Sequence, residues 1–140
     1  MNEVTETRRI EASPDAIRDA MVDVEAFVES AGFDDVEVDG ETIRVANQVG
    51  IAELELELVA VEREGADVAH EQRDGIFEEM WTTYTVEPRA GGDEVDVTAH
   101  TEFTLDVPVV GDILDATVIQ RQRRKELNAQ LDWLEGETRR

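Results

Sequence analysis

Cysteine is missing from this sequence, and lysine nearly so. Without a thiol there is no disulfide, no thiolate metal site and no cysteine nucleophile. Two histidines, His70 and His100, do not by themselves make a convincing metal site, so neither a metal nor a cofactor is expected. No run of eighteen apolar residues occurs, which excludes a transmembrane helix by length and hydropathy. The opening MNEVTETRRIEA has no apolar stretch of the secretory type, so an intracellular, cytoplasmic protein is expected. Also missing are the G-x-S-x-G elbow, a phosphate-cradling glycine loop, HExxH and an EF-hand loop.

What the chain has in excess is acid. Thirty-five Asp and Glu stand against thirteen basic residues, of which twelve are Arg and one is Lys125, for a net charge of −22 over 140 residues. Self-repulsion at that charge costs stability until salt screens it. The composition resembles that of cytoplasmic proteins from extreme halophiles, with a solvated, salt-adapted surface, and makes nucleic acid a poor partner. Disorder is the other outcome of an acidic composition, but 41% of the residues are hydrophobic and they fall in regular periods. The length suits one domain, 1–140, with a proper core and one small-molecule cavity. Charge is uneven along it. Residues 1–119 carry seven basic and 31 acidic side chains, whereas 120–140 carry six and four. The cluster Arg121, Arg123, Arg124 and Lys125 reads first as neutralisation of an acidic body.

Periodicity gives the elements. Residues 4–12 read as a strand, and Ser13-Pro14-Asp15 opens a helix. Serine caps free amides, proline fits the first helical position, and aspartate suits the positive helix end. Ala16, Ile17, Ala20, Met21 and Val24 follow at helical spacing, and a short second helix over about 25–31 stops at Gly32. From Phe33 the period becomes two. Val36 and Val38 alternate with acids up to the Asp39-Gly40 turn, and Ile43, Val45, Asn47 and Val49 share one face of the next strand. In 51–62, Leu54, Leu56 and Leu58 alternate with Glu53, Glu55 and Glu57. Strict alternation would spread leucine all round a helix, so period overrides the helix propensity of Leu and Glu and a half-buried strand results. The three glutamates are its wet face rather than a metal cluster. Further strands are expected over about 67–73, 76–87 and 94–105, then a long helix over about 110–134. The order strand, two short helices, about six strands and one long helix predicts an α+β helix-grip fold, a curved antiparallel sheet of six to seven strands wrapped on the C-terminal helix.

Several segments add a resemblance. Ile10-Glu11-Ala12-Ser13-Pro14 with Ile17, then Asp23-Val24-Glu25-Ala26-Phe27, Trp81-Thr82-Thr83-Tyr84-Thr85-Val86-Glu87-Pro88 before a glycine turn, and Pro108-Val109-Val110-Gly111 before the last helix resemble the START-like, or SRPBCC, superfamily in its polyketide cyclase/dehydrase and lipid-transport branch. The resemblance implies a cavity between sheet and C-terminal helix. None of these motifs is catalytic, and one fold hosts many functions.

Parity and helical phase nominate the cavity. On the strands, Asn47 lies with Val45 and Val49; His70 and Gln72 lie with Val68; Glu78, Thr82 and Tyr84 lie with Ile76, Met80 and Val86. A bulge at Glu78-Glu79 would reverse that parity and put Glu78 in water. Met80 and Phe103 are core residues first and ligand contacts second. His100 falls on the outer face, as does Trp81, three residues from Tyr84. On the long helix, Ile113, Leu114, Thr117, Leu127, Leu131 and Leu134 form a stripe that carries Gln120, Arg124 and Asn128. Arg124 either anchors a ligand carboxylate or phosphate, or snorkels to the rim or pairs with a sheet acid. Three functions fit: binding of a small hydrophobic or amphipathic, lipid- or polyketide-like ligand; a cyclase, aromatase or dehydratase using the same cavity, with His70, Glu78, Tyr84 or Arg124 as working groups; and a protein-interaction module of the chaperone-activator or ribosome-associated type. Monomer and homodimer are both open.

Overall fold

The structure is a computed structural model that describes residues 1–105 and 115–138. Strand β1 (Asn2–Ile10) is followed by helices α1 (Pro14–Val22) and α2 (Val24–Glu29), then by β2 (Asp35–Asp39), β3 (Thr42–Val49), β4 (Ala52–Val61), β5 (Val68–Asp74), β6 (Phe77–Arg89), a 3-10 turn, β7 (Glu94–Leu105) and the long helix α3 (Ala116–Thr138). All seven strands form one antiparallel sheet in the order β1-β7-β6-β5-β4-β3-β2. The α+β helix-grip architecture expected from the periodicities is the one observed. Among the described residues no helix is long and apolar enough to cross a membrane.

Local chemistry explains the boundaries. Ser13 caps α1 by accepting from the Ala16 amide at 3.2 Å, and Asp23 caps α2 by accepting from that of Ala26 at 3.4 Å. Leu54, Leu56 and Leu58 of β4 point inward while Glu53 and Glu55 face water, as alternation requires. Two irregularities matter for the interior. A register shift between Phe77 and Glu79 puts both Glu78 and Glu79 in solvent. The turn between β5 and β6 is stapled by Gln72, whose amide donates to the Phe77 carbonyl at 2.8 Å and accepts from the Phe77 amide at 3.1 Å.

The core is in two parts. Val4, Ile10, Ile17, Met21, Phe27, Val95, Val97, Leu127, Leu131 and Leu134 make one. Ile43, Val45, Leu58, Phe77, Met80, Phe103 and Ile119 make the other. On β6, Thr82 sits between Met80 of the second and Tyr84 of the first; on β7, Thr101 sits between Phe103 and Ala99; on α3, Arg123 sits between Ile119 and Leu127. A polar belt thus runs between two apolar clusters, spanning sheet and helix.

The buried face of α3 differs from the expected one. It carries Ile119, Arg123, Glu126, Leu127, Gln130, Leu131 and Leu134, while Arg124 is exposed and Gln120 only half-buried. Ile113 and Leu114, which helped set the expected stripe, lie outside the described residues, as does the Pro108-Val109-Val110-Gly111 motif. Without those two residues the spacing 119, 123, 126–127, 130–131, 134 is the one that keeps the helix's apolar side chains inward.

Candidate functional site

The belt is built around Arg123. Its Nη1 donates to Glu126 Oε1 at 2.6 Å, one turn along α3, and its Nη2 donates to Thr82 Oγ1 at 2.8 Å. Thr82 passes the chain on to Thr101 Oγ1 at 3.0 Å, and Thr101 donates to the Trp81 carbonyl at 2.9 Å. The other carboxylate oxygen of Glu126 accepts from Asn47 Nδ2 at 3.1 Å and Gln122 Nε2 at 3.0 Å. The Arg123 and Glu126 side chains are 10% and 4% exposed, so this is a buried ion pair rather than a surface one. Arg123 Nε is buried and has no hydrogen-bond partner among the described residues.

Beside it, Tyr84 donates its hydroxyl to Gln130 Oε1 at 2.7 Å, and Gln130 Nε2 reaches the Phe27 carbonyl at 3.3 Å. The His70 ring lies edge-on to Tyr84, with centroids 6.0 Å apart. Burial, and next the charge of Arg123, push the His70 pKa down to about 4. Burial pushes the Tyr84 hydroxyl up to about 12. Both groups are therefore neutral at pH 7.

Two small cavities flank Arg123. One, of about 20 Å³, is lined by His70, Met80, Thr82, Tyr84, Gln130 and apolar neighbours. The other, of about 30 Å³, is lined by Asn47, Glu126 and a mostly apolar wall that includes Val45, Leu54, Phe77 and Ile119. Phe33, Leu56 and Arg123 line both. A larger depression of about 680 Å³ is an open acidic groove along β2, β3 and β4, with Asp35, Glu37, Glu55, Glu57 and Asp74 around the Arg44–Glu57 pair. Exposed carboxylates there are solvated, and the groove encloses nothing. On the outer face of the sheet, Glu3, His100 and Glu102 bring their ligand atoms within 4.8 Å of one another. Both His100 nitrogens are already engaged, Nδ1 with Thr5 Oγ1 at 2.6 Å and Nε2 with Glu102 Oε2 at 3.0 Å.

Of the ten side chains nominated from sequence, Asn47, His70, Met80, Thr82 and Tyr84 converge on Arg123. Phe103 faces inward but is fully buried against Phe77, with ring centroids 5.2 Å apart. Four expectations need correction. Glu78 is in solvent because the bulge reverses its parity. Gln72 is spent on the backbone of Phe77. Arg124 is on the rim, where it pairs with Glu6 of β1 at 2.6 Å. Gln120 lines neither cavity because α3 is rotated relative to the expected stripe. Missed altogether were Arg123, Glu126 and Gln130. Arg123, four residues from both Ile119 and Leu127, Gln130, three after Leu127, and Glu126, seven after Ile119, have the helical spacing that was the available signal.

No protein-family model matches the chain, and no curated protein matches it. Solved structures do. A protein from Thermus thermophilus, TTHA0849, is similar over 97% of this chain and 96% of its own at 17% identity and a TM-score of 0.77. A START superfamily protein from Mycobacterium smegmatis is similar over 97% and 96% at 12% identity and 0.74. The Zhui aromatase/cyclase from Streptomyces sp. R1128 is similar over 96% and 93% at 16% identity and 0.76. At these identities the likeness is one of fold, and the fold of this chain is START-like, of the SRPBCC type.

Proposed function

We propose that this protein binds a small hydrophobic or amphipathic molecule, lipid- or polyketide-like, between the sheet and α3. The observation that carries the reading is a buried arginine with an unused N–H, flanked on both sides by apolar-walled cavities. A core built only for stability gains nothing from an orphaned guanidinium nitrogen, since an unmet buried donor costs about 1–3 kcal/mol. The contacts in this reading are Asn47, His70, Met80, Thr82 and Tyr84, with Arg123 at the centre. Each cavity holds about one water molecule, so occupancy widens the interior. The margin for widening is the β2–β4 side, because α3 packs mainly against β1, β7, α1 and α2. Leu54 and Leu56 of β4 line that margin, and Met80 of β6, an unbranched and adaptable side chain, lines the smaller cavity beside it.

A cyclase- or dehydratase-type reaction in the same interior is the second reading, favoured by the aromatase/cyclase among the fold neighbours. The neutral states of His70 and Tyr84 at pH 7 support binding over acid–base turnover.

Mass spectrometry of small molecules extracted from protein purified in concentrated salt is the test. A stoichiometric apolar compound is the expected result. An empty protein whose melting temperature is unmoved by a panel of neutral apolar compounds would overturn the reading.

A further inference from the structure

The charge count inside the belt bears on which end of a ligand the interior accepts. Among the described residues, two ionised side chains line the cavities, Arg123 and Glu126, and they already neutralise each other at 2.6 Å. An added anion would lie beside Glu126, both of whose oxygens are held in place by hydrogen bonds. The remaining polar groups that line the two cavities are uncharged: Asn47, His70, Thr82, Tyr84, Gln122 and Gln130. A carboxylate or phosphate entering here would leave one uncompensated negative charge in a low-dielectric space, which is costly.

Donors, by contrast, are in surplus. Arg123 uses Nη1 on Glu126 and Nη2 on Thr82, and its Nε–H is left over. His70 is 5% exposed and lines the smaller cavity with Arg123, where its neutral ring carries one N–H donor. The hydroxyls of Thr82 and Tyr84 are spent on Thr101 and Gln130. What the Arg123 Nε–H lacks is an acceptor within reach.

Resting on the reading above, we infer that the buried end of the ligand is an uncharged oxygen acceptor of the carbonyl class, received by Arg123 Nε–H and the imidazole of His70, and that ligands ending in carboxylate or phosphate are rejected. The apolar walls, Val28, Leu58 and Met80 on one side and Val45, Leu54 and Ile119 on the other, take the hydrocarbon part.

Displacement of the neutral fluorophore N-phenyl-1-naphthylamine by two ten-carbon probes, 2-decanone and decanoate, at pH 8 in concentrated KCl tests this. The ketone is expected to displace the fluorophore at least tenfold more strongly than decanoate. In Arg123→Lys, which keeps the charge and loses the Nε donor, the ketone is expected to weaken about tenfold while the fluorophore still binds. The neutral pair R123Q/E126Q supplies the same comparison should the lysine variant fail to fold, with near-UV circular dichroism as the check. Decanoate equal to or stronger than the ketone, or a ketone affinity unchanged in both variants, overturns the inference and leaves interior binding standing. A fluorophore that does not bind the wild-type protein, together with a melting temperature unmoved by either ten-carbon probe, overturns both.

Discussion

Arg123 and Glu126 face each other across one turn of α3 with almost no water, and such pairs are seldom a net source of stability. Desolvating the two charges costs about what their attraction returns, while removing one partner alone costs about 3–5 kcal/mol. The pair is therefore better read as a device that gives the interior a defined polarity than as a staple. His70 belongs to the same belt, and its burial couples the fold to acid. With a folded pKa of about 4 against 6.5 when unfolded, the imidazole is neutral in the fold and takes up its proton in the unfolded chain first. The stability tied to its neutral state is complete above about pH 6.5 and falls by about 3 kcal/mol as the pH drops towards 4, at about 1.4 kcal/mol for each pH unit. Protonating surface carboxylates relieves repulsion over the same range, so the informative quantity is a difference. Urea unfolding of wild type and His70→Gln at fixed KCl is expected to show wild type losing about 3 kcal/mol relative to the variant between pH 7 and 4. Parallel profiles would show that His70 is not held neutral.

At the scale of elements, the irregular segments decide which side chains enter the interior. A period of two predicts the inward residues of β3, β4 and β7 directly, because a strand has only two faces and one is buried. It fails at the start of β6, where one extra residue near Glu78 inverts the alternation. That region depends on the neighbouring turn. Gly75 has φ +155°, and a Cβ there would lie 2.5 Å from Gln72 Oε1 as well as against Leu56. Gln72 cannot retreat without releasing both hydrogen bonds to Phe77. Gly75→Ala is therefore expected to cost about 1–3 kcal/mol, by overpacking and backbone strain together, read as a lowered urea midpoint. An unchanged midpoint would mean that the Gln72 staple contributes nothing. On α3, the phase error has a different source. A helix has a continuous range of faces, and two apolar residues from outside the described helix are enough to turn the expected stripe from Arg123 to Arg124.

For the whole molecule, charge dominates. Six of the thirteen basic residues fall in 120–140, and one of them, Arg124, ties α3 to Glu6 of β1, while Arg8 of β1 ties back to Asp132 and Glu135 of α3. These pairs are at least partly exposed and screened, each worth about 0–1 kcal/mol. Each pair is neutral in sum, so the net charge of −22 is untouched by them. Raising KCl from about 0.1 M to about 1 M shortens the screening length from about 10 Å to about 3 Å. The melting temperature is accordingly expected to rise by about 4 °C or more, the shift that about 1 kcal/mol of relieved repulsion produces at this chain length. A flat melting temperature across that range would contradict self-repulsion as the controlling cost.

The order of elements, the antiparallel sheet with one apolar face, the two capped short helices and the surface charge are all legible in the residues alone. Each depends on local spacing or on totals, which a one-dimensional pattern carries completely. The inward direction of Asn47, His70, Thr82 and Tyr84 is legible too, because parity survives in regular strands. It takes the packed chain to show that these four meet Arg123 rather than Arg124, that Glu78 turns to water, and that Glu126 and Gln130 complete the belt. Those outcomes depend on the rotation of one helix about its axis and on one inserted residue in one strand. Both are set by packing against distant segments: the local residues are compatible with the observed helix face and with the bulge, but do not choose them over the alternatives.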